Sequence, residues 1–504
     1  MKLKRKYWAL SLLLALLLWF GLTSPSYAAQ SSNMAEAKVL HVLNRLSFGP
    51  RPGDVETLKS QGIEAYIRSQ LSPDSIAQPQ SLTQQLASLE TLRMSPAEIM
   101  REYQQNRGNQ KEQQRRPETV MPANQQNSPE ARMARRKVLE QATQGRLVRA
   151  IASSHQLEEV LVDFWYNHFN VFSGKGRDRF LVGIYEEQAI RPHVLGKFRS
   201  LLEATAKHPA MLFYLDNWQN TAPNSPGARG RYKGLNENYA RELMELHTLG
   251  VNGGYTQQDV ITLARILTGW GFPRGRQGAA DESGFYFDAN RHDSSDKVFL
   301  GQTIKGSGMA EGEQALDILA RHPATARHIS YKLAQYFLAD NPPASLVDQL
   351  AKRFQETDGD IKAVLNALFH SSEFLDPKSY NAKLKTPYQY VVSAIRATDT
   401  QVENFRPAAG VLRQMGMPIY GCPTPDGYKN TEEAWLNPDA VLRRISLTTA
   451  LATGHFAGGS PVDAQQLAKT LGNNLSAKTM EVIAANSDSM KAALMLGSPE
   501  FMRR

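Results

Sequence analysis

Apolar residues recur every three or four positions along almost the whole chain, and this periodicity constrains the fold more than any other feature. Val39–Leu46 shows it near the start of the chain, and Ile329–Phe337 and Ile361–Leu368 repeat it much later. Residues at this spacing lie on one face of an α-helix and are buried together. Strict alternation over five or more residues is hard to find. The sequence therefore predicts a mainly α fold.

Two short segments and two long ones interrupt the helical pattern. Gly284–Phe287 and Val298–Leu300 favour extended structure, and we expect them to pair as one β-ribbon. Gln104–Arg136 holds few large apolar residues, so burial cannot offset its ordering entropy and we expect a mobile insertion. Asn217–Lys233 is rich in Asn, Gly, Pro and Arg, which predicts an exposed loop at the rim of a cleft. The prediction is one large helical domain over residues 29–504, with a short β-ribbon and long loops.

The first 28 residues have the three parts of a secretory signal peptide. A basic head, Lys2–Lys6, precedes the apolar run Trp8–Leu22, and a small-x-small cleavage sequence ends at Ala28. The run is shorter than the roughly 20 residues that span a bilayer. We expect cleavage after Ala28, with Ala29 as the near alternative; the competing interpretation is an uncleaved membrane anchor. No comparable apolar stretch follows, so the prediction is an exported protein, periplasmic or extracellular, without a stable membrane span once the leader is removed.

Charge and cysteine content exclude several classes of protein. The chain has 58 Lys and Arg against 49 Asp and Glu, and the leader supplies +4 of the net +9. The remainder is mild for a chain of this length and contains no block of six like charges, so nucleic acid is not an expected partner. The single cysteine, Cys422, excludes an intramolecular disulfide and a cysteine-rich metal cluster.

The densest group of polar side chains lies in Gly234–Gly250. At 100° of rotation per residue, Asn238, Arg241, Glu242 and Glu245 share an arc of roughly 100° on one helix face. Two carboxylates about one turn apart, held by an arginine, suit acid–base chemistry or cation binding. The alternative is an ordinary solvated face with an Arg241–Glu245 ion pair.

Asp163–Asn170 combines aromatic rings with amides. Trp165 and His168 lie one turn apart on an apolar face, where a histidine is more often a core residue than a ligand. Asn167 lies on another face. Rings stack on the apolar faces of sugars and amides bind their hydroxyls, so Trp165 and Asn167 also have the residue types of a sugar-binding cleft.

Further candidates to bind substrate in such a pocket are Asn236 and Asn238 at the start of the polar helix, and the adjacent His292 and Asp293. An aspartate does not orient the histidine next to it in sequence, so the dipeptide is weak evidence. In a metal-binding variant of the hypothesis, Glu242, Glu245 and His168 hold a divalent cation of unknown identity.

The remaining signals are weak or absent. Pro423–Tyr428 contains a Pro-Asp-Gly turn with flanking aromatic rings, which predicts a turn and says little about function. The nucleophile elbow, the zinc-protease helix, the phosphate-binding loop, the haem-attachment motif and the dinucleotide fingerprint are all missing from the sequence.

Taken in order, several segments resemble a bacterial family known as domain of unknown function 1800. The matching stretches are Leu43–Pro50, Phe164–Phe169, Pro209–Asp216, Asn236–Gly250, Leu267–Trp270, His292-Asp293, Lys297, Leu300-Gly301 and Lys332-Leu333. Pro423–Trp435 departs from the Gly-Trp-rich form of many members. The resemblance implies an exported, largely helical protein and supplies no activity. Members often accompany exported proteins of the sulfatase or phosphatase class, which the resemblance suggests as partners.

These patterns lead to two hypotheses. In the first, the protein is an envelope enzyme acting on a glycan or another polyhydroxylated or anionic polymer. Glu242 and Glu245 then supply acid–base function, Arg241 positions them, and His168 completes the pocket. Two carboxyls on one helix are closer together than those of a glycosidase, so a standard hydrolase needs a partner from elsewhere. In the second hypothesis, the protein is a non-catalytic envelope binding or assembly protein whose polar helix is a buried structural network.

Overall fold

The computed structural model describes residues 27–99, 129–230, 232–273, 281 and 283–504, with side chains except at 27–33, 129–135 and 473. The predicted leader lies outside the described residues apart from its last two positions, and so does most of the predicted insertion. Residues 129–136, which were expected to belong to that insertion, instead begin a long helix.

The protein is mainly α-helical, as the periodicity predicts. In its first half the helices are α1 Tyr27–Leu46, α2 Asp54–Gln61, α3 Ile63–Gln70, α4 Gln80–Ala87, α5 Pro129–Ala152, α6 Gln156–His168, α7 Asp178–Tyr185, α8 Phe198–Lys207, α9 Pro209–Tyr214, α10 Asn238–Glu242 and α11 Gln257–Ile266. In its second half they are α12 Met309–Arg321, α13 Pro323–Phe337, α14 Ala344–Glu356, α15 Ile361–Phe369, α16 Ser372–Leu375, α17 Pro387–Ala397, α18 Arg406–Gln414, α19 Glu432–Trp435, α20 Pro438–Ala452, α21 Ala464–Leu471, α22 Ala477–Ala484 and α23 Asp488–Leu496. Two π-helical segments, Glu186–Ile190 and Leu243–Thr248, extend α7 and α10.

The apolar faces of these helices meet in one contiguous core. Its buried side chains run along the described chain from Val39 to Met502. The largest fully buried ones include Trp165, Trp270 and Tyr185. Among the described residues, no helix combines the length and the apolar character needed to cross a membrane.

The expected strands form, but they do not pair with each other. Tyr286–Phe287 (β2) pairs antiparallel with Trp270–Gly271 (β1), and Lys297–Phe299 (β3) pairs with Gln302–Ile304 (β4). Leu300 and Gly301 between β3 and β4 both have positive φ, 47° and 77°. Two such residues make the tight turn that suits a hairpin, so β3 takes the neighbouring segment as its partner. The prediction of a single ribbon was therefore wrong.

Buried charge joins the helices around α6. Arg146 of α5 donates to Asp163 of α6 (2.8 Å) and to Glu186 of the first π segment (3.0 Å). Arg191 continues the network to Glu159 (2.7 Å). Because each buried charge has an opposite partner, the cost of removing it from water is offset. We call Arg146, Asp163, Glu186, Arg191 and Glu159 the core charge network.

Candidate functional site

The polar helix begins at a framework of asparagine amides. Asn220 is fully buried, and its side-chain oxygen accepts from the backbone N–H of Asn236 (2.9 Å). The Asn236 amide donates to the carbonyl of Asp216 (3.4 Å), and the Asn238 amide donates to the carbonyl of Leu215 (3.1 Å). Asn236 and Asn238, which were predicted to bind substrate, thus use their amide groups to hold the start of α10. Asn217 and Asn220, in the first part of the predicted exposed loop, are instead buried, and the Asn217 amide donates to the carbonyls of Leu267 (3.2 Å) and Trp270 (3.1 Å).

The helix changes pitch in the middle of the predicted polar face. It is α-helical to Glu242 and π-helical from Leu243 to Thr248, where the Thr248 hydroxyl donates to the carbonyl of Leu243 five residues earlier (2.7 Å). The rotation of 100° per residue therefore does not apply after Glu242. Gly250 ends the element with φ of 83°, and a Cβ there would lie 3.0 Å from the His328 ring.

Arg241 lies in a partly exposed polar network. It contacts Glu237 (3.3 Å), Glu245 (3.5 Å) and the side chain of Gln257 (2.9 Å). The Tyr255 hydroxyl also hydrogen-bonds Glu245; burial and this bond raise the pKa of Tyr255 to about 12. Glu245 therefore has two partners, Arg241 and Tyr255, and the predicted Arg241–Glu245 ion pair is confirmed.

Glu242 differs from its neighbours on this face. Among the described residues it has no hydrogen bond or ion pair, although it is half-buried. Burial raises the pKa of Glu242, the charges of Glu245 and Asp426 raise it further, and Arg241 opposes them. A carboxyl group in such an environment keeps its proton to higher pH, as a general acid must.

Asp426 belongs to the Pro-Asp-Gly turn and acts electrostatically on Glu242 of this face. Helix α6 holds the turn in place, although the two segments are more than half the chain length apart in sequence. Asn167 of α6 donates to the carbonyl of Tyr428 (2.8 Å) and accepts from its N–H (2.7 Å). Asn170 donates to the carbonyls of Cys422 (3.0 Å) and Thr424 (2.8 Å). Gly427 has φ of 70°, and a Cβ there would lie 2.2 Å from the carbonyl oxygen of Asn167. Asn167 is thus a support for the turn rather than an open sugar contact.

The environment of Asp426 is opposite to that of Glu242. Burial by itself would raise the pKa of Asp426, but hydrogen bonds from Lys429 (2.6 Å) and Thr424 outweigh it and lower the pKa. Lys332 of α13 also acts on Asp426, and burial lowers the pKa of this lysine to about 8. Asp426, Lys332 and Tyr255 were not among the predicted site residues. The turn motif gave Asp426 a conformation, but nothing in the sequence placed it beside Glu242.

His168 and Trp165 belong to the core. Trp165 has no exposed surface, and its indole N–H donates to the carbonyl of Val194 (3.3 Å). His168 donates through Nε2 to the carbonyl of His247 (3.1 Å), and its ring packs on Trp165 and Phe169. Burial holds the pKa of His168 well below its usual range. The assignments of Trp165 to sugar stacking and of His168 to catalysis are corrected accordingly.

The metal-binding variant loses its histidine for the same reason. Among the residues that the structure describes, no group of three or more His, Cys, Asp or Glu side chains is arranged to hold a metal ion. Glu242 and Glu245 remain together, but His168 lies beneath them in the core.

His292 and Asp293 form a separate group. The ring nitrogens of His292 each lie 2.9 Å from an oxygen, one of the Thr268 carbonyl and one of the Glu311 carboxylate. Glu311 also pairs with the fully buried Lys297 (2.6 Å). Asp293 pairs with Arg265 (2.8 Å). These partners tie β3 to α11 and α12, so the predicted convergence of His292 and Asp293 on the Glu242 pocket is not observed.

Comparison with known proteins gives one result. The family described as protein of unknown function (DUF1800) matches residues 41–503. No curated protein matches the chain, and no solved structure does either. Because the match covers nearly the whole sequence, the protein belongs to the DUF1800 family.

Proposed function

We propose that the protein is an exported enzyme of the bacterial envelope that hydrolyses a glycan, with Glu242 as general acid and Asp426 as the ionised carboxylate. The observation that carries the proposal is the electrostatic interaction of two partly buried carboxyls with opposite environments. Glu242 has no hydrogen-bonding partner among the described residues, and hydrogen bonds from Lys429 and Thr424 lower the pKa of Asp426. Carboxyls whose environments separate their pKa values are typical of acid–base assignments in glycoside hydrolysis.

The chemistry divides between the two groups. Glu242 donates its proton to the glycosidic oxygen as the bond from that oxygen to the anomeric carbon breaks. Asp426 accepts a proton from the water that adds to the anomeric carbon. Arg241 and Tyr255 bind Glu245, and the charge of Glu245 raises the pKa of Glu242, which helps Glu242 to keep its proton. Asp426 lies outside the helix and acts electrostatically on Glu242, which supports its assignment as the second carboxyl.

The test is a screen of the purified protein against neutral and acidic polysaccharides, followed by E242Q and D426N variants on any substrate that is cleaved. Each variant should lose on the order of 10²–10⁴-fold in rate. E203Q is the matched control, because Glu203 is a partly buried glutamate whose partners Arg199 and Lys207 lie on α8. An E242Q enzyme as active as E203Q would reject the role of Glu242.

The pH profile provides a second test. Its acidic limb should follow Asp426, whose pKa lies below the ordinary 3.8, and its alkaline limb should follow Glu242, whose pKa lies above 4.5. D426N should remove the acidic limb from whatever activity remains, and E242Q should remove the alkaline limb. A profile that keeps both limbs in both variants would assign the titrating groups to other residues.

The second candidate is the non-catalytic envelope binding protein. It is favoured by one observation: Glu237, Arg241, Gln257 and Glu245 satisfy one another, as a structural network would. In that case E242Q would bind every glycan as the unmodified protein does, and neither would release reducing ends during prolonged incubation. The two candidates therefore differ in a product measurement on the same pair of proteins.

A further inference from the structure

A surface groove of about 800 Å³, whose lining residues do not include Glu242 or Asp426, lies between α5, α7 and α18. The described side chains that line the groove include four arginines but only two acidic residues, both glutamates. The arginines are Arg136, Arg179, Arg406 and Arg413; the glutamates are Glu140 and Glu403. The groove therefore has an excess of positive charge.

Much of that charge lacks a partner. Arg136 and Arg406 share one carboxylate, Glu140, and their hydrogen bonds lower its pKa against the effect of burial. Arg179 and Arg413 are exposed, and neither has an ion pair among the described residues. A guanidinium group presents a planar fork of donors that matches a carboxylate or phosphate in two parallel hydrogen bonds.

The floor of the groove offers contacts of another kind. The ring of Phe172 packs over Gly174, where a Cβ would lie 2.2 Å from it, and Ile419 and Pro418 continue the apolar strip. Phe172 and Ile419 are partly exposed. Thr143 and Gln144 add a hydroxyl and an amide on the α5 side. Sugar rings place apolar faces on aromatic rings and their hydroxyls on such polar groups.

Charge does not favour residues 100–128 of this chain as the ligand of the groove. Residues 100–128 contain five basic and three acidic side chains, so they would add positive charge to the groove. The mildly basic chain as a whole does not have the charge excess typical of a nucleic-acid-binding protein. An anionic ligand with sugar rings could pair its negative charges with the arginines and pack its rings on the apolar strip.

We infer that this groove binds an acidic polysaccharide, with its carboxylate groups on Arg179 and Arg413 and a sugar ring on Phe172. The inference concerns binding and does not depend on hydrolysis by Glu242. Either property can therefore fail without the other.

The test measures the affinity of the full-length mature protein for polygalacturonate by titration calorimetry, at 50 mM and at 200 mM salt, with dextran as the neutral polymer. The R179Q/R413Q variant should bind polygalacturonate at least about tenfold more weakly at low salt. An R93Q/R353Q variant is the matched control, because it loses two exposed arginines outside the groove and should stay within about twofold of the unmodified protein. An F172A variant should also weaken binding. All variants should unfold at similar temperatures.

Several outcomes would overturn the inference. Equal losses in the groove and control variants would mean that binding follows overall charge. Binding of dextran as tight as that of polygalacturonate would remove the role of the arginines. If poly-glutamate or duplex DNA bound as tightly as polygalacturonate, the groove would be a general polyanion site rather than one for a sugar polymer.

Discussion

Two arginines of this protein each lie between two carboxylates, and their surroundings differ. Arg146 in the core charge network is 7% exposed, and its partners Asp163 and Glu186 each accept a further hydrogen bond, from Tyr336 (3.1 Å) and Tyr420 (3.0 Å). Arg241 on the surface is 37% exposed and its ion pairs are longer. The carboxyl of Glu242, beside it, has no such partner among the described residues. The comparison separates a buried network, in which each charged side chain has an opposite partner, from an exposed network that leaves the neighbouring carboxyl of Glu242 without one in the described part of the chain. The proposed role of Glu242 as a general acid rests on that difference.

The largest expected effect comes from breaking the core charge network. R146M would leave Asp163 and Glu186 buried without their common partner, and removing one member of a buried ion pair costs about 3–5 kcal/mol. The free energy of unfolding, measured by denaturant titration, should fall by that amount. Reduced solubility at 37 °C is expected as well.

The control for this variant lies on the same helix. Arg136 is also on α5 and is paired, with Glu140, but its side chain is 68% exposed. R136M should change the free energy of unfolding by no more than about 1 kcal/mol. If the two variants were equally destabilised, burial would not be the property that separates the two regions.

The next largest loss of stability is expected from removing the hydrogen bonds by which Asn167 of α6 holds the Asp426 turn. N167A removes both hydrogen bonds between α6 and Tyr428 and should cost about 1–3 kcal/mol. It should also lower any glycan hydrolysis, because Asp426 lies on the turn that Asn167 holds. N486A, which removes one exposed hydrogen bond to Val482, is the comparison and should leave both quantities nearly unchanged. Full activity in N167A would mean that the turn keeps its position without α6.

A smaller effect is expected on the exposed face. R241Q removes ion pairs that water already screens, so the free energy of unfolding should change by less than about 1 kcal/mol. The loss should shrink further in 1 M salt. A loss as large as that of R146M would place Arg241 in a structural network and favour the binding protein over the enzyme.

The smallest expected effect has the opposite sign. The pKa of Glu242 in the folded protein lies above the ordinary 4.5, so the folded state binds this proton more tightly than the unfolded chain does. The stability that this contributes is present below pH 4.5 and is lost as the pH rises through the folded pKa. E242Q should therefore melt about 1–2 °C higher than the unmodified protein at pH 7, with no gain at pH 4. A gain of the same size at both pH values would not come from the charge.

Local patterns in the sequence were sufficient for much of the fold. Thr256 and Asp259, three residues apart, form the capping box that begins α11, and His208 and His322 cap α9 and α13 through Nδ1. Such caps depend on residues three or fewer positions apart, so a short window contains all the information. The sequence pattern did not indicate the pairing of the strands or the pitch of the helix after Glu242. The turn at Leu300-Gly301 gives β3 a different partner, and the Thr248 hydroxyl bonds the carbonyl of Leu243 five residues earlier.

Only part of the candidate site could be predicted, because helical spacing shows which residues share a face but not what that face contacts. Helical spacing placed Arg241, Glu242 and Glu245 on one face, and the structure keeps them together. Spacing within α6 was equally clear for Trp165 and His168, but it could not indicate whether that face meets solvent or another helix. Here α6 is covered by the elements around His247 and Val194, and both rings are buried.

By itself, the sequence determined a helical chain with defined caps and a polar stripe at Asn238–Glu245, because periodicity and capping act within a few residues. Only the tertiary structure brought Asp426 beside Glu242 and placed His168 in the core. Contacts between residues far apart in sequence depend on how all the helices pack together, and no short pattern records that arrangement.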